Sequence, residues 1–263
     1  MNFIITGGHS GIGLVLTKKL LNEGHTVGLI VRNEVRKQET EKLFEKNSLL
    51  FIFTADLSKR DHISSVAHEI SSSWKKLDGL FNNAGLLSDK LYFSDYGNEL
   101  QLEVNAISPY LLTKALKTLL DKADQPFVVC TATGGLNNKK TIDILSLKKP
   151  KKFIKLLGSY MDSKLIMVLL MNSLSEDKEW SNIRIVCANP GAIKTKMTSG
   201  NGMPFWLKPI RNLLFKSPEF GAQNLYSAAF DPKYKESGVY LSEGKIREMQ
   251  TSINQDEINQ LLS

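Results

Sequence analysis

The chain has 263 residues, of which 42% are hydrophobic and 23% charged, and its net charge is +7. These values suit one α/β domain with a sizeable core and exclude a disordered chain. Two cysteines and four scattered histidines exclude a zinc signature, so no metal is expected. A strand-like run at the start leaves no room for a signal peptide, and no run reaches the roughly 18 apolar residues of a membrane span. A cytoplasmic protein is therefore expected.

Short apolar runs alternate with longer segments of helical period. The strand predictions are 3–6, 26–31, 49–54, 79–82, 127–131, 183–188 and 239–241. The helix predictions are 12–22, 34–46, 61–75, 99–121, 159–176 and 218–230. This alternation predicts a single α/β domain over 1–263, with a Rossmann-type, doubly wound parallel sheet of about seven strands and helices on both faces. Ligands of such sheets bind outside the carboxyl ends of the strands.

The first strand runs into TGGHSGIG at positions 6–13. Glycines there let the backbone approach a pyrophosphate without an intervening Cβ, and the start of the next helix offers free N–H groups. A glycine-rich turn alone is a weak signal, but its place between the first strand and the first helix favours a phosphate cradle. The expected contacts are Gly7, Ser10, Gly11, Ile12 and Gly13.

The second strand ends in GLIVRN, which places Val31 where an acidic residue would bind the ribose 2′-hydroxyl. Arg32 and Asn33 follow it. A guanidinium pairs well with phosphate, so the sequence predicts a preference for NADP(H) over NAD(H). The alternative is that Arg32 only decorates the start of a helix.

Two further strand ends add to the same crevice. ADLS at 55–58 provides Leu57 and Asp56, whose carboxylate either accepts from the adenine amino group or caps the next helix. NNAG at 82–85 brings Asn83, Ala84 and Gly85, small residues that suit a backbone packed against a nucleotide.

SYMDSK places Tyr160 and Lys164 four residues apart on one helix face. A free tyrosine has a pKa near 10, and a nearby ammonium favours its phenolate form. Such a tyrosine can exchange a proton with a carbonyl or alcohol oxygen. The spacing alone is weak evidence, but it becomes strong together with the cradle upstream.

Five motifs thus follow one another along nearly the whole chain. They are TGGHSGIG at 6–13, NNAG at 82–85, Asn105, Tyr160-x-x-x-Lys164, and Pro190-Gly191 with Thr195. In this order they resemble the short-chain dehydrogenase/reductase family. SPEFGAQNLYSAA at 217–229 and SGVY at 237–240 resemble its retinol-dehydrogenase-like branch, which commonly prefers NADP.

The resemblance implies a role for each matching residue. Tyr160 would be the acid/base, and Lys164 would lower its pKa and hold the nicotinamide ribose. Asn105 would hold a water that links Lys164 to solvent. Asn83 to Gly85 would line the adenosine side. The nicotinamide side would be lined by Pro190, Gly191, Ile193 and Thr195.

The match is incomplete after the fifth strand, in VVCTATGG at 128–135. The family has a serine there that holds the substrate oxygen, and an ungapped comparison places Ala132 in that position. A one-residue slip or a bulge would bring in Thr131, the preferred replacement, or Thr133. The alternatives are an enzyme that works without this hydroxyl and a cofactor-binding protein without catalysis.

The segments near 137–155 and 196–217 are expected to form the substrate loops. Seven lysines between 139 and 155 indicate a solvated loop, or a contact with an acidic ligand or membrane surface. The stretch has no arginine and one aromatic residue, which disfavours nucleic acid. The apolar and basic stretch 203–216 predicts a lid helix, a peripheral membrane contact or a protein interface.

The sequence therefore predicts an NADP(H)-dependent oxidoreductase that transfers hydride between nicotinamide and a carbonyl or alcohol, with a small-molecule substrate that is lipophilic or bulky. The alternative is a catalytically impaired NADP(H)-binding sensor or scaffold. Pairing of the long central helices, as the resemblance implies, would give a homodimer or homotetramer.

Overall fold

The apolar runs pair as strands of one sheet in the computed structural model, which describes residues 1–45, 47–203 and 214–263, without the Lys196 side chain. The strands are β1 (Asn2–Thr6), β2 (Thr26–Val31), β3 (Leu50–Thr54), β4 (Gly79–Asn82), β5 (Phe127–Thr131), β6 (Arg184–Ala188), β7 (Val239–Ser242) and β8 (Lys245–Arg247). Their order is β3-β2-β1-β4-β5-β6-β7-β8, and only β8 is antiparallel to its neighbour among them. The predicted Rossmann-type domain is confirmed, with an eighth strand of three residues that is too short to show a period.

Helices cover both faces of this sheet. They are α1 (Gly11–Asn22), α2 (Glu34–Leu43), α3 (Arg60–Ser73), α4 (Leu100–Leu102), α5 (Ser108–Ala115), α6 (Lys117–Leu120), α7 (Ile144–Lys148), α8 (Ser159–Glu176), α9 (Lys196–Ser199), α10 (Pro218–Phe230) and α11 (Gln255–Leu262). A π-helical turn spans Glu103–Ile107, and short 3₁₀ turns span Leu136–Asn138 and Lys178–Trp180.

Alternate residues of each strand enter two separate cores. Ile4 and Cys130 pack with the buried residues of α3, α5 and α8. Phe3, Ile5 and Val129 pack on the other face, against α1 and α10. Burial on both faces is the reason that the strands read as nearly continuous apolar runs.

The helix predicted over 99–121 is not continuous. The π-helical turn interrupts it, because the Ser108 N–H donates to the Glu103 carbonyl five residues back. Pro109, in the first turn of α5, has no N–H to continue the ladder. Apolar periodicity does not reveal one extra residue in a single turn, so the sequence predicts a regular helix here.

Candidate functional site

A cleft of about 320 Å³ lies at the carboxyl ends of β1, β4, β5 and β6. It brings together predicted site residues from five separate motifs. These are Gly7, Ser10, Gly11, Ile12, Asn83, Ala84, Gly85, Thr131, Tyr160, Lys164, Pro190, Gly191, Ile193 and Thr195. The cleft is also lined by Ala132 and Thr133, the rivals of Thr131 for the serine position, and by Met197 and Thr198 of the predicted substrate segment 196–217. One further lining residue, His9, was not predicted as a site residue. His9 lies inside the glycine-rich turn, which is the signal that could have revealed it.

The glycines of the first turn form a cradle without side chains. Gly7 has φ +67°, and a Cβ there would lie 3.2 Å from the Ala84 Cα. At Gly13 a Cβ would lie 2.5 Å from the Gly7 carbonyl oxygen. Helix α1 begins at Gly11, and the side chain of its N-cap, Ser10, makes no capping hydrogen bond. A close backbone approach at the N-terminus of a helix fits a pyrophosphate.

The Thr6 hydroxyl joins the first turn to the fourth strand. It accepts the N–H groups of Asn83 at 3.0 Å and Ala84 at 2.9 Å. Asn83 Nδ2 donates in return to the Thr6 carbonyl at 3.1 Å. The sequence did not single out Thr6, although a hydroxyl at the very end of a strand is a signal for such a junction.

Arg32 and Asp56, which the sequence predicts to bind the adenosine half of a cofactor, contact each other. Arg32 Nε lies 3.1 Å from Asp56 Oδ2, and the Arg32 side chain is 71% exposed. Burial opposes ionisation of Asp56, but hydrogen bonds from Ser58 and Arg32 outweigh it and lower the pKa of Asp56. Asn33 caps α2 through the Arg36 N–H at 3.0 Å, and the Leu57 carbonyl accepts from Ser108. Asp56 thus holds the Nε of Arg32, while most of the Arg32 side chain stays exposed to solvent.

Tyr160 and Lys164 stand one turn apart at the start of α8. Lys164 is 2% exposed, and its Nζ donates to the Thr131 carbonyl at 2.7 Å. Burial lowers the pKa of Lys164 to about 8 and raises the pKa of Tyr160 to about 12. The resemblance implies a lowered pKa for Tyr160. In the structure, burial raises this pKa, because the Lys164 ammonium is bound to the Thr131 carbonyl.

Asn105 lies in the π-helical turn and is completely buried. Its Oδ1 accepts the Leu86 N–H at 2.7 Å, and its Nδ2 donates to the Leu86 carbonyl at 2.9 Å and to Ser163 Oγ at 3.0 Å. Ser163 belongs to the same helix as Tyr160 and Lys164. The Asn105 carboxamide therefore bridges the segment after β4 to the first turn of α8.

The ladder between β5 and β6 keeps one register from Phe127 to Thr131, without a bulge. Ala132 packs in the same core as Cys130, on the side covered by α8, whereas Thr131 points to the opposite face. The Thr131 hydroxyl lies 3.4 Å from Asn83 Oδ1. Thr133 lines the cleft, and its side chain has no hydrogen bond to the described residues; its carbonyl accepts the Tyr240 hydroxyl at 2.5 Å.

The turn after β6 closes the other side of the cleft. Gly191 has φ +92°, which favours glycine, and its N–H donates to Asn189 Oδ1 at 2.9 Å. The Pro190 carbonyl accepts from Asn224 at 3.1 Å. Thr195 caps α9 and lies beside Gly11. A Cβ on Gly11 would lie 3.2 Å from Thr195 Cγ2.

The two predicted substrate segments lie in different places. Met197 and Thr198 line the 320 Å³ cleft, whereas ten residues of 137–155 line a separate cavity of about 400 Å³. Lys139 pairs with Asp162, and Lys155 Nζ donates to the Asn201 carbonyl at 2.9 Å. Of the stretch 203–216, residues 204–213 lie outside the described residues.

Within the described residues, no helix is long and apolar enough to cross a membrane. The same residues hold no group of three histidine, cysteine or acidic side chains that could bind a metal ion.

Comparisons with known proteins agree with this geometry. The chain matches the family model described as short chain dehydrogenase over residues 2–203. It is 26% identical to human retinol dehydrogenase 14 over 267 residues, covering 94% of this chain and 79% of that protein. It is 29% identical to human retinol dehydrogenase 13 over 247 residues, covering 90% and 74%. These two relatives confirm the predicted resemblance to that branch.

One solved structure illustrates the likeness of the fold. An NADPH-bound carbonyl reductase from chicken fatty liver superposes with a TM-score of 0.73 at 23% identity. The match covers 94% of this chain and 98% of that one.

Proposed function

The chain belongs to the short-chain dehydrogenase family, and we propose that it transfers hydride between NADP(H) and a carbonyl or alcohol, with Tyr160 as the acid/base. The observation that carries this proposal is the convergence of Tyr160, Lys164 and the glycine cradle in one cleft of about 320 Å³. As a member of this family, the protein is an oxidoreductase that acts on alcohol or carbonyl groups.

The cradle suits the cofactor because tightly packed glycine backbone leads directly into the N-terminus of α1. Gly7 and Gly11 would present backbone to the phosphates, and Asn83 to Gly85 would line the adenosine side. The nicotinamide side would be held by Pro190, Gly191, Ile193 and Thr195. The bound nicotinamide supplies or accepts the hydride.

We assign proton transfer to Tyr160, with Lys164 and Asn105 in support. The Tyr160 hydroxyl would give its proton to the substrate oxygen during reduction and take it back during oxidation. For this, the Lys164 ammonium must act on the phenol, because burial alone raises the pKa of Tyr160 to about 12. Asn105 would hold the water that connects Lys164 with solvent.

The hydroxyl that holds the substrate oxygen is a choice between two threonines. The sequence predicts Thr131, but its Oγ1 lies 3.4 Å from Asn83 Oδ1, on the face away from α8. Both threonines line the cleft, but only the Thr131 hydroxyl is engaged by Asn83, and for this reason we favour Thr133. Thr133→Val would then reduce kcat more than Thr131→Val, and the reverse order would favour Thr131.

A preference for NADP(H) rests on Arg32. An exposed guanidinium that Asp56 fixes through Nε keeps its outer nitrogens available for a 2′-phosphate. The NADPH complex of the similar carbonyl reductase supports this choice.

We propose a lipophilic or bulky substrate. Ile12, Ile193 and Met197 give the cleft apolar walls, and two similar proteins are named retinol dehydrogenases. The segments 137–155 and 196–217 remain the proposed substrate loops, and a peripheral membrane contact is proposed for 203–216.

One observation favours a second candidate function. Ala132, which has no hydroxyl, packs on the side of β5 covered by α8, as an NADP(H)-binding sensor or scaffold without catalysis would allow.

The experiment that separates the two candidates follows NADPH consumption by purified protein with a panel of aldehydes and ketones, beside NADPH binding by fluorescence. Binding with turnover supports the enzyme. Binding without turnover on any carbonyl supports the sensor, and no binding contradicts both.

A further inference from the structure

A buried carboxylate lies two residues before Asn105, and the proposed reaction does not use it. Glu103 is the first residue of the π-helical turn and is completely buried. A carboxylate without partners is very costly in such a place, so its partners define its role.

Three donors converge on Glu103, one from the start of α3 and two from the turn that contains Ser94 and Asn98. Arg60, at the start of α3, donates from Nε to Oε1 at 2.7 Å and from Nη2 to Oε2 at 3.3 Å. Asn98 Nδ2 donates to Oε2 at 2.7 Å, and Ser94 Oγ approaches the same oxygen at 3.5 Å. The bidentate geometry of the guanidinium fixes the orientation of the carboxylate as well as its position.

Arg60 extends this network to the C-terminal helix. Its Nη1 donates to the Leu262 carbonyl at the end of α11, and its guanidinium carbon lies 4.3 Å from the centre of the Tyr96 ring. The arginine is thereby held on three sides, and it ties α3, the π-helical turn and α11 to one point.

The π-helical turn needs such support. Turns with i→i+5 hydrogen bonds are rare, and in this turn the Glu103 carbonyl accepts both the N–H and, at 2.8 Å, the hydroxyl of Ser108. If the turn relaxed to regular α-helix, one residue would shift in phase by about 100°. Asn105 would then lose its contacts with Leu86 and Ser163.

We propose that Arg60 and Glu103 are positioning residues, which hold the π-helical turn in phase so that Asn105 keeps its place between Leu86 and Ser163. The inference rests on the proposed function for its effect on turnover. Its structural half, the placement of the Asn105 side chain, is independent of activity.

The test uses Arg60→Met, Glu103→Gln, Asn105→Ala and the double variant Arg60→Met with Asn105→Ala. The control is Lys117→Ala, which breaks the Lys117–Asp121 ion pair at 2.8 Å on α6, beyond the π-helical turn. Amide hydrogen exchange at Leu86 reports directly on the bond to Asn105, with or without catalysis, and urea unfolding shows which variants are folded.

Arg60→Met should speed exchange of the Leu86 amide at least tenfold relative to amides of β5, and Glu103→Gln should do so to a smaller extent. In the active enzyme, kcat should fall about tenfold with NADPH affinity unchanged, and the double variant should be no slower than Asn105→Ala alone. Lys117→Ala should change neither quantity.

The proposal is overturned if Leu86 exchange stays at the wild-type rate in folded Arg60→Met and Glu103→Gln. Losses of kcat that simply multiply in the double variant would also overturn it, as would full activity of Asn105→Ala. A wild-type protein that binds NADPH but turns over no carbonyl would contradict the proposed function instead. Hydrogen exchange at Leu86 would still show whether Arg60 and Glu103 position Asn105.

Discussion

Lys164 is a buried ammonium, and its contacts make the protein sensitive to pH. Its Nζ has one hydrogen bond among the described residues, to the Thr131 carbonyl, and burial lowers its pKa to about 8. The unfolded chain would bind this proton up to about pH 10.5. Between these values the unfolded state holds more protons, so the free energy of unfolding rises with pH.

We expect this rise to be at most about 3 kcal/mol between pH 8 and 10, at about 1.4 kcal/mol per pH unit. Above pH 10 the trend reverses, because the half-buried Tyr160 keeps its proton up to about pH 12 while the unfolded chain loses it. The measurement is urea unfolding of the wild type and Lys164→Met at several pH values. An equal slope in both proteins between pH 8 and 10 would refute the lowered pKa of Lys164.

Arg32 is the residue on which cofactor choice depends. Arg32→Ala should weaken NADPH binding by about tenfold or more, since a charge-assisted hydrogen bond contributes about 1.5–3 kcal/mol. NADH binding should change little, and a matched control is Arg36→Ala, which removes an exposed arginine of α2 paired with Glu39. Equal losses for both cofactors, measured by fluorescence titration, would contradict the assignment.

Gly7, Tyr160 and Lys164 come from separate motifs of the sequence, and all three line one cleft, while their roles stay predictions. The Arg32–Asp56 pair was not predicted, because the two residues are 24 positions apart and either could act alone. The register of β5 against β6 decides on which face of the sheet the Thr131 side chain lies, and the sequence left this register open.

At the scale of elements, the junction between the first turn and α1 depends on close packing. Alanine usually favours a helix by about 1 kcal/mol over glycine. At Gly13, alanine would destabilise the protein in spite of this preference. The new Cβ would lie 2.5 Å from the Gly7 carbonyl oxygen, which belongs to the backbone and cannot rotate away.

Gly13→Ala should therefore lose about 1–3 kcal/mol of stability and weaken NADPH binding at least tenfold. Lys18→Ala, an exposed change on the same helix, should leave both unchanged. Urea unfolding and fluorescence titration give the two quantities. A Gly13→Ala protein as stable as the wild type would show that the turn can open at no cost.

The spacing of apolar residues predicted the order and type of most helices and strands. Strands buried on both faces and long amphipathic helices leave clear patterns in the sequence. The helices α7, α9 and α11, each of eight residues or fewer, were not predicted, and neither were two further features. The π-helical turn depends on the side chains of Arg60 and Asn98 from elsewhere in the chain, and β8 has only three residues.

At the scale of the whole molecule, the central helix α8 is already covered. Its residues from Ser163 to Met171 and Leu174 are buried within one chain, on all sides of the helix. Met249, Ile253 and Leu262 of the C-terminal segment pack against the same core. A helix that is buried all round keeps no broad apolar face for a second copy.

We therefore expect a monomer, instead of the dimer or tetramer that pairing of central helices would give. Sedimentation velocity at micromolar concentration should show one species near 29.4 kDa. A stable dimer that dissociates when residues 248–263 are removed would contradict this expectation, since that segment would then form the interface.

The proposed reaction depends on proton transfer by Tyr160 within a nicotinamide site. The most direct test compares the wild type with Tyr160→Phe, using a carbonyl that the wild type reduces and following NADPH consumption and NADPH affinity in parallel. We expect Tyr160→Phe to bind NADPH within about twofold of the wild type and to lose at least a thousandfold in kcat, in line with the upper range for a general acid. Turnover retained in Tyr160→Phe would contradict the proposed mechanism.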